Sequence, residues 1–222
     1  MIASFALALC TFVHCAATSD PPSCNKNMGD KSRMDGYDFL QAGTRYLLVA
    51  TSLESVFKLS DGTNIQCISA VAEEKDDTNH SVLMKVSYKD ATSEQWGWFK
   101  QRYDFESQEG EYNHVRIREP NGGPEGIYKF LLTTFGCAVV EVKNYTLRED
   151  VQSEETAVQE RTTDEASDKS PHCMMWEKEG NTDATQTCCE RFFTENCKPK
   201  NTAYEYSPNK CPVPTYDEDS EL

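Results

Sequence analysis

Short stretches of alternating apolar and polar residues recur along the chain, separated by turn residues. Ser81 to Lys89 is the clearest. Val82, Met84, Val86 and Tyr88 fall on one side of an extended backbone, and Ser81, Lys85, Ser87 and Lys89 on the other. A period of two is what a half-buried strand imposes. Thr44 to Thr51, Asn64 to Ala72, Glu94 to Phe105, Tyr112 to Arg118, Gly126 to Thr134, Cys137 to Tyr145 and His172 to Lys178 read as further strands. Ser60-Asp61-Gly62 and Pro120-Asn121-Gly122-Gly123-Pro124 punctuate them as turns, because glycine accepts positive φ and proline fixes it. Glu73 to Asn79 reads as a charged loop.

Two segments carry a different pattern. Asp35 to Leu40 predicts one short helical turn capped by Asp35, whose carboxylate can accept from the first free backbone N–H groups. Asp183 to Cys197 predicts a helix, with Cys188, Cys189, Phe192, Phe193 and Cys197 recurring at helical spacing. The order is eight strands and then a helix. It predicts a mainly β fold, an eight-stranded antiparallel up-and-down barrel with a short N-terminal helical turn and a C-terminal helix packed outside. A barrel of that size holds one small ligand. A two-sheet sandwich fits the strand count equally well.

The flanks complete the expected organisation. Ile2 to Val13 is mostly apolar but too short to cross a bilayer, which takes roughly 20 apolar residues. Cys15-Ala16-Ala17 follows it as a cleavage site, so residues 1–17 read as a signal peptide of a secreted protein. Residues 18–34 read as an N-terminal arm, 35–211 as the barrel with its helix, and 212–222 as an acidic tail. Inside the barrel region, residues 149–170 are dominated by Glu, Asp, Ser, Thr and Gln. They form an acidic loop with too little apolar surface to offset its ordering entropy.

The formal charge is −15, which argues against nucleic acid and anionic membranes as partners, since both need a basic surface. Of the ten cysteines, Cys10 and Cys15 lie in the signal. Cys24, Cys67, Cys137, Cys173, Cys188, Cys189, Cys197 and Cys211 remain, an even set that reads as disulfides in an exported chain. No pair has zinc spacing, and no metal or cofactor is expected. Asn79-His80-Ser81 and Asn144-Tyr145-Thr146 are glycosylation sequons. No nucleophile elbow, zinc-protease helix or P-loop occurs. Cys188-Cys189 is followed by Glu190-Arg191, so the His base of a secreted phospholipase is missing. The reading is a binding protein and not an enzyme.

Several segments together resemble the tick salivary lipocalins, the histamine-binding protein family. DGYDFL at Asp35 to Leu40 is similar to the family's opening helical motif, with Tyr37 where the family has Trp. TRYLLVAT resembles its first strand, Cys173-Met174-Met175-Trp176 its last strand, and CCERFFTENC its helix. Cys67 and Cys137 sit as in the family. The resemblance implies the disulfides Cys67–Cys211, Cys137–Cys189, Cys24–Cys188 and Cys173–Cys197. Spacing alone leaves 105 pairings open.

The resemblance also implies a monomer in saliva that sequesters a small host mediator to evade host inflammatory defence. A biogenic amine, histamine or serotonin, comes first by family likeness. Amine binders of the family place carboxylates and aromatics inside the barrel, because a buried cation needs a paired anion. Here Met174 stands where they carry Glu, and Glu54 and Phe57 are what remains of a second acidic and aromatic set. The alternative is a fatty acid, eicosanoid or sterol in an apolar cavity walled by Met84, Val86, Tyr128, Met174, Met175 and Trp176. Trp96, Trp98, Lys100 and Arg102 share one strand face. If that face is inward, Lys100 or Arg102 meets a lipid carboxylate; if outward, all four are packing and solvated surface, and the same choice holds for Arg116 and Arg118. The expected ligand contacts are thus Glu54, Phe57, Trp98, Tyr128, Met174 and Trp176. A host protein, bound by a filled barrel, is a further candidate partner.

Overall fold

The computed structural model describes residues 34–59, 61–118, 123–146, 170–181, 185–199, 206–207 and 209–212. The expected signal peptide, arm, Cys24, acidic loop and tail lie outside them, apart from a few flanking residues. Eight strands follow in order: β1 (Arg45–Thr51), β2 (Ile65–Asp76), β3 (Ser81–Asp90), β4 (Trp96–Gln108), β5 (Glu111–Arg118), β6 (Glu125–Thr133), β7 (Cys137–Thr146) and β8 (Cys173–Lys178). Each pairs antiparallel with its sequence neighbour, and β1 also pairs with β8, Leu48 lying opposite Trp176. That pairing closes the sheet into a barrel and removes both edges, which excludes the sandwich.

One expectation is corrected. Glu73 to Asp76 is not loop but the continuation of β2, whose Lys75 and Asp76 lie opposite Val82 and Ser81. A bulge between Ala72 and Glu74 shifts the register there. Charged residues are tolerated because β3 supplies the ladder hydrogen bonds and one face is solvated. A 3₁₀ turn, Ser55–Phe57, also sits unforeseen between β1 and β2.

Alternation decides what faces inward. Val82, Met84 and Val86 of β3 are buried in the interior, as their spacing predicts, with Tyr88 packed against them. Tyr103, Phe105, Val115, Ile117, Tyr128 and Phe130 join from β4 to β6, and Val140, Val142 and Met174 from β7 and β8.

The helical turn α1 (Gly36–Phe39) closes one end of the barrel. Asp35 caps it: Asp38 N–H donates to one carboxylate oxygen at 2.8 Å, and Tyr112 N–H to the other at 3.0 Å. Gly36 N–H donates to Asn113 Oδ1 at 2.8 Å. A Cβ on Gly36 would sit 2.4 Å from the Phe130 ring, so only glycine lets the turn lie this close on β6. The Tyr46 hydroxyl fixes the same end by donating to Phe39 O at 2.7 Å and accepting from Gln41 N–H at 2.8 Å. Tyr46→Phe strands a buried carbonyl. It is expected to cost about 1–2 kcal/mol and to lower the urea midpoint; an unchanged midpoint would contradict this role.

The helix α2 (Thr185–Asn196) lies outside, against β7 and β8. Phe193 packs on Ala50, Val139 and Met175 in a second core cluster on the outer face. Cys137–Cys189 and Cys173–Cys197 fasten the helix to those strands, and Cys67–Cys211 ties the C-terminal segment to β2. These are three of the pairs that the family resemblance implies. Cys188 is also disulfide-bonded, and Cys24, its expected partner, lies outside the described residues.

Candidate ligand-binding site

At the barrel end opposite α1, β1, β3, β5 and β7 end and β2, β4, β6 and β8 begin. From that end a crevice descends between Val56, Leu59, Ile65, Val86, Phe99, Tyr145 and Met174 to Tyr103, Tyr128 and Trp176. The space in it wide enough for a water-sized sphere is about 30 Å³. A second crevice, with about 20 Å³ of such space, continues toward the closed end, between Phe39, Leu40, Tyr46, Ala70, Met84, Phe130 and Val140. Tyr103, Tyr128 and Trp176 border both crevices and form the constriction between them. Tyr103 and Tyr128 meet edge to face, ring centroids 6.2 Å apart. Each space holds about one water, so a larger ligand enters the barrel only as lining side chains move aside.

Sequence places these walls by strand alternation. On β4 the inward residues are Phe99, Gln101, Tyr103 and Phe105. The outward ones are Trp98, Lys100 and Arg102. At the rim, Tyr88 lies opposite Gly97. A Cβ on Gly97 would meet that ring at 2.5 Å; the glycine lets the tyrosine fold over it.

No described residue lining either crevice is a carboxylate. Among these lining residues the charged one is Lys58, exposed at the mouth. Gln101 is buried, and its amide nitrogen donates to Pro124 O at 2.6 Å. Loss of hydration pushes the Tyr46 hydroxyl up to about 12. The same burial pushes Tyr103, Tyr128 and Tyr145 above the ordinary tyrosine range, and the neighbouring hydroxyls add to it at Tyr128.

All are therefore neutral in the folded protein at physiological pH. Their contribution is fully present below about pH 10, where unfolded tyrosine is neutral too, and is lost as pH rises toward the folded values. For the three buried rings Tyr46, Tyr103 and Tyr128, the loss is about 4 kcal/mol for each pH unit above the unfolded value. Cooperative unfolding within one to two units above pH 10 is the expected outcome. It would be read as phenolate absorbance and far-ultraviolet dichroism changing together; phenolate forming fully in a folded barrel would contradict it.

The structure sorts the predicted contacts. Tyr128, Met174 and Trp176 line the crevices, as do Met84 and Val86. Met175 does not, because it is one residue out of phase with Met174 and lies under α2. Glu54 is exposed before the 3₁₀ turn, and Phe57 is half-buried against the core; neither is among the lining residues. Trp98 is corrected to the outer face, where the Lys85 ammonium lies 4.7 Å over its ring. Lys100 is outside too, paired with Glu73 at 2.9 Å, and Arg102 is exposed. Arg116 and Arg118 pair outside with Glu106 and Asp104. Lys58, Phe99, Gln101, Tyr103 and Tyr145 were not foreseen as lining residues. For β4 the signal was available: a face carrying Lys and Arg belongs in water, which turns Phe99, Gln101 and Tyr103 inward.

The sequence profile of the tick histamine-binding proteins matches residues 30–213. The chain belongs to the tick histamine-binding protein family. The family is one of ligand-binding proteins. No curated protein matches the sequence. Among solved structures, the chain is similar to Japanin from Rhipicephalus appendiculatus, a structure with bound cholesterol. The identity is 11%, over 73% of this chain and 92% of that one, with a TM-score of 0.45. Within the family frame, the Cys-x-x-Trp of the last strand aims Met174 and Trp176 into the barrel.

Proposed function

We propose that this protein is a secreted carrier that sequesters a slender apolar host mediator bearing a carboxylate, a fatty acid or eicosanoid, inside its barrel. The observation that carries the reading is the wall chemistry: aromatic and aliphatic side chains throughout, no carboxylate among the described lining residues, and Lys58 at the mouth. An acyl chain would part these side chains and bury its apolar surface among them, at about 0.8 kcal/mol per methylene. Its carboxylate stays at the rim, where Lys58 offers a charge-assisted hydrogen bond.

Histamine or serotonin, which the family likeness suggests first, is a cation. Inside these crevices it would lose its hydration and meet no described carboxylate to repay the loss. The aromatic faces of Tyr128 and Trp176 offer cation–π attraction, but that is smaller than the desolvation of an ammonium. Secretion is supported by the disulfide frame, and glycosylation by the exposure of Asn79 and Asn144.

Calorimetry with arachidonate, a leukotriene and cholesterol, set beside histamine and serotonin, tests the ligand. Micromolar or tighter binding of the acids is expected, with affinity falling five- to tenfold in Lys58→Glu. Tight amine binding with no acid bound would refute the reading. Binding of neither class would move the function to a host protein.

A further inference from the structure

Three tyrosine hydroxyls in the upper crevice, the one that opens at the rim, have no part in holding the fold. Two other buried tyrosines do have partners. The Tyr46 hydroxyl bonds two backbone groups, and that of Tyr37 donates to Asp77 at 2.6 Å. Tyr103 and Tyr128 are buried as deeply, at 7% and 4% exposed. Among the described residues no group hydrogen-bonds the hydroxyl of either, nor that of Tyr145. A buried hydroxyl without a partner is costly, and phenylalanine would fill the same space without that cost.

The three groups converge. They reach the same crevice from β4, β6 and β7. Beyond the loss of hydration, charge on Tyr103 and on Tyr145 pushes Tyr128 up, and charge on Tyr103 does the same at Tyr145, so the hydroxyls lie close enough to feel one another. Gln101, 3% exposed, lines the crevice two residues from Tyr103 on the same face of β4. Its amide nitrogen is committed to Pro124 O. Its amide oxygen is left to accept, with no hydrogen bond among the described residues. The open space beside these groups is about that of one water, enough for a single oxygen atom.

Resting on the acidic-lipid reading above, we propose that this cluster is a second polar subsite, which binds a hydroxyl carried part-way along the ligand's chain. The preferred ligand is then a hydroxylated lipid acid and not a plain fatty acid. The ligand hydroxyl accepts from one tyrosine and donates to another, or to Gln101 Oε1. A plain acyl chain seated there would seal the phenols away from any partner. A site built to bond a hydroxyl rejects the analogue that lacks it.

Calorimetry with stearate and a positional series of monohydroxystearates tests this, with the methyl esters of the same acids alongside. At least one hydroxy isomer is expected to bind about tenfold tighter than stearate or better. In Tyr103→Phe/Tyr128→Phe/Tyr145→Phe the two affinities should converge. The urea midpoint of the empty variant should be unchanged or raised, since unpaired buried hydroxyls are removed; Tyr46→Phe has the opposite effect. Every isomer binding no tighter than stearate would overturn the subsite and leave the acid carrier standing. So would a preference that survives in the triple variant, or a midpoint that falls as in Tyr46→Phe. Esters bound as tightly as the acids, with the hydroxyl preference intact, would support the subsite and refute the carboxylate at the rim. Binding of none of these lipids would overturn both.

Discussion

In Met174→Glu, arachidonate affinity is expected to fall by about a hundredfold. Met174 is 2% exposed and lines the upper crevice. A carboxylate there lies in the crevice beneath the rim, close to the ligand's own. Two like charges so placed repel by roughly 2–3 kcal/mol at the effective dielectric of a partly buried site, which is about a hundredfold in affinity. The same substitution restores the acid that amine binders of the family carry at the matching position. Histamine binding should therefore rise from undetectable to measurable, strongest above the pKa of the buried carboxyl. Unchanged dichroism would show that the barrel still folds. Unchanged arachidonate affinity in a folded variant would place the ligand outside the crevice.

The second large effect is on stability. Cys137→Ala combined with Cys189→Ala removes the bond between β7 and α2, which closes a sequence separation of 52 residues. The loop-closure relation gives about 4 kcal/mol for that length, a large part of the 5–15 kcal/mol that holds a typical domain folded. Both cysteines are fully buried in the outer cluster, so the alanines also forfeit packing. Calorimetry should show the melting temperature lowered by about 8–16 °C. Ligand affinity should be unchanged, because this cluster and the crevices occupy opposite faces of β7 and β8. A shift below a degree would mean that Phe193 and its neighbours hold the helix without the bond.

The strands were legible because most of them bury one face, and β3 shows it cleanly in Val82, Met84 and Val86. Barrel closure was not legible from alternation, since the β1–β8 pairing joins residues more than a hundred positions apart. The extent of β2 was hidden by the charges at Glu73 to Asp76. Composition reads such a run as loop, while the neighbouring strand makes it sheet.

The site was legible to the extent that phase was. Met174 and Trp176 follow from the last strand, and Met175, adjacent to both, falls on the other face for the same reason. Trp98 was misplaced because ring size was weighed over the charges at Lys100 and Arg102. Glu54 and Phe57 came from an uncertain register in a segment that forms a 3₁₀ turn. Lys58, two positions beyond Val56 on the way out of that turn, has no periodic signal to announce it.

The most direct test of the central claim uses tryptophan emission. The chain has three tryptophans, and in Trp96→Phe/Trp98→Phe only Trp176 remains, at the constriction inside the barrel. Titration with arachidonate should change its emission saturably at one equivalent, while histamine at the same concentration leaves it unchanged. A silent Trp176 with arachidonate, or a saturable response to histamine alone, would contradict a barrel that holds an acidic lipid.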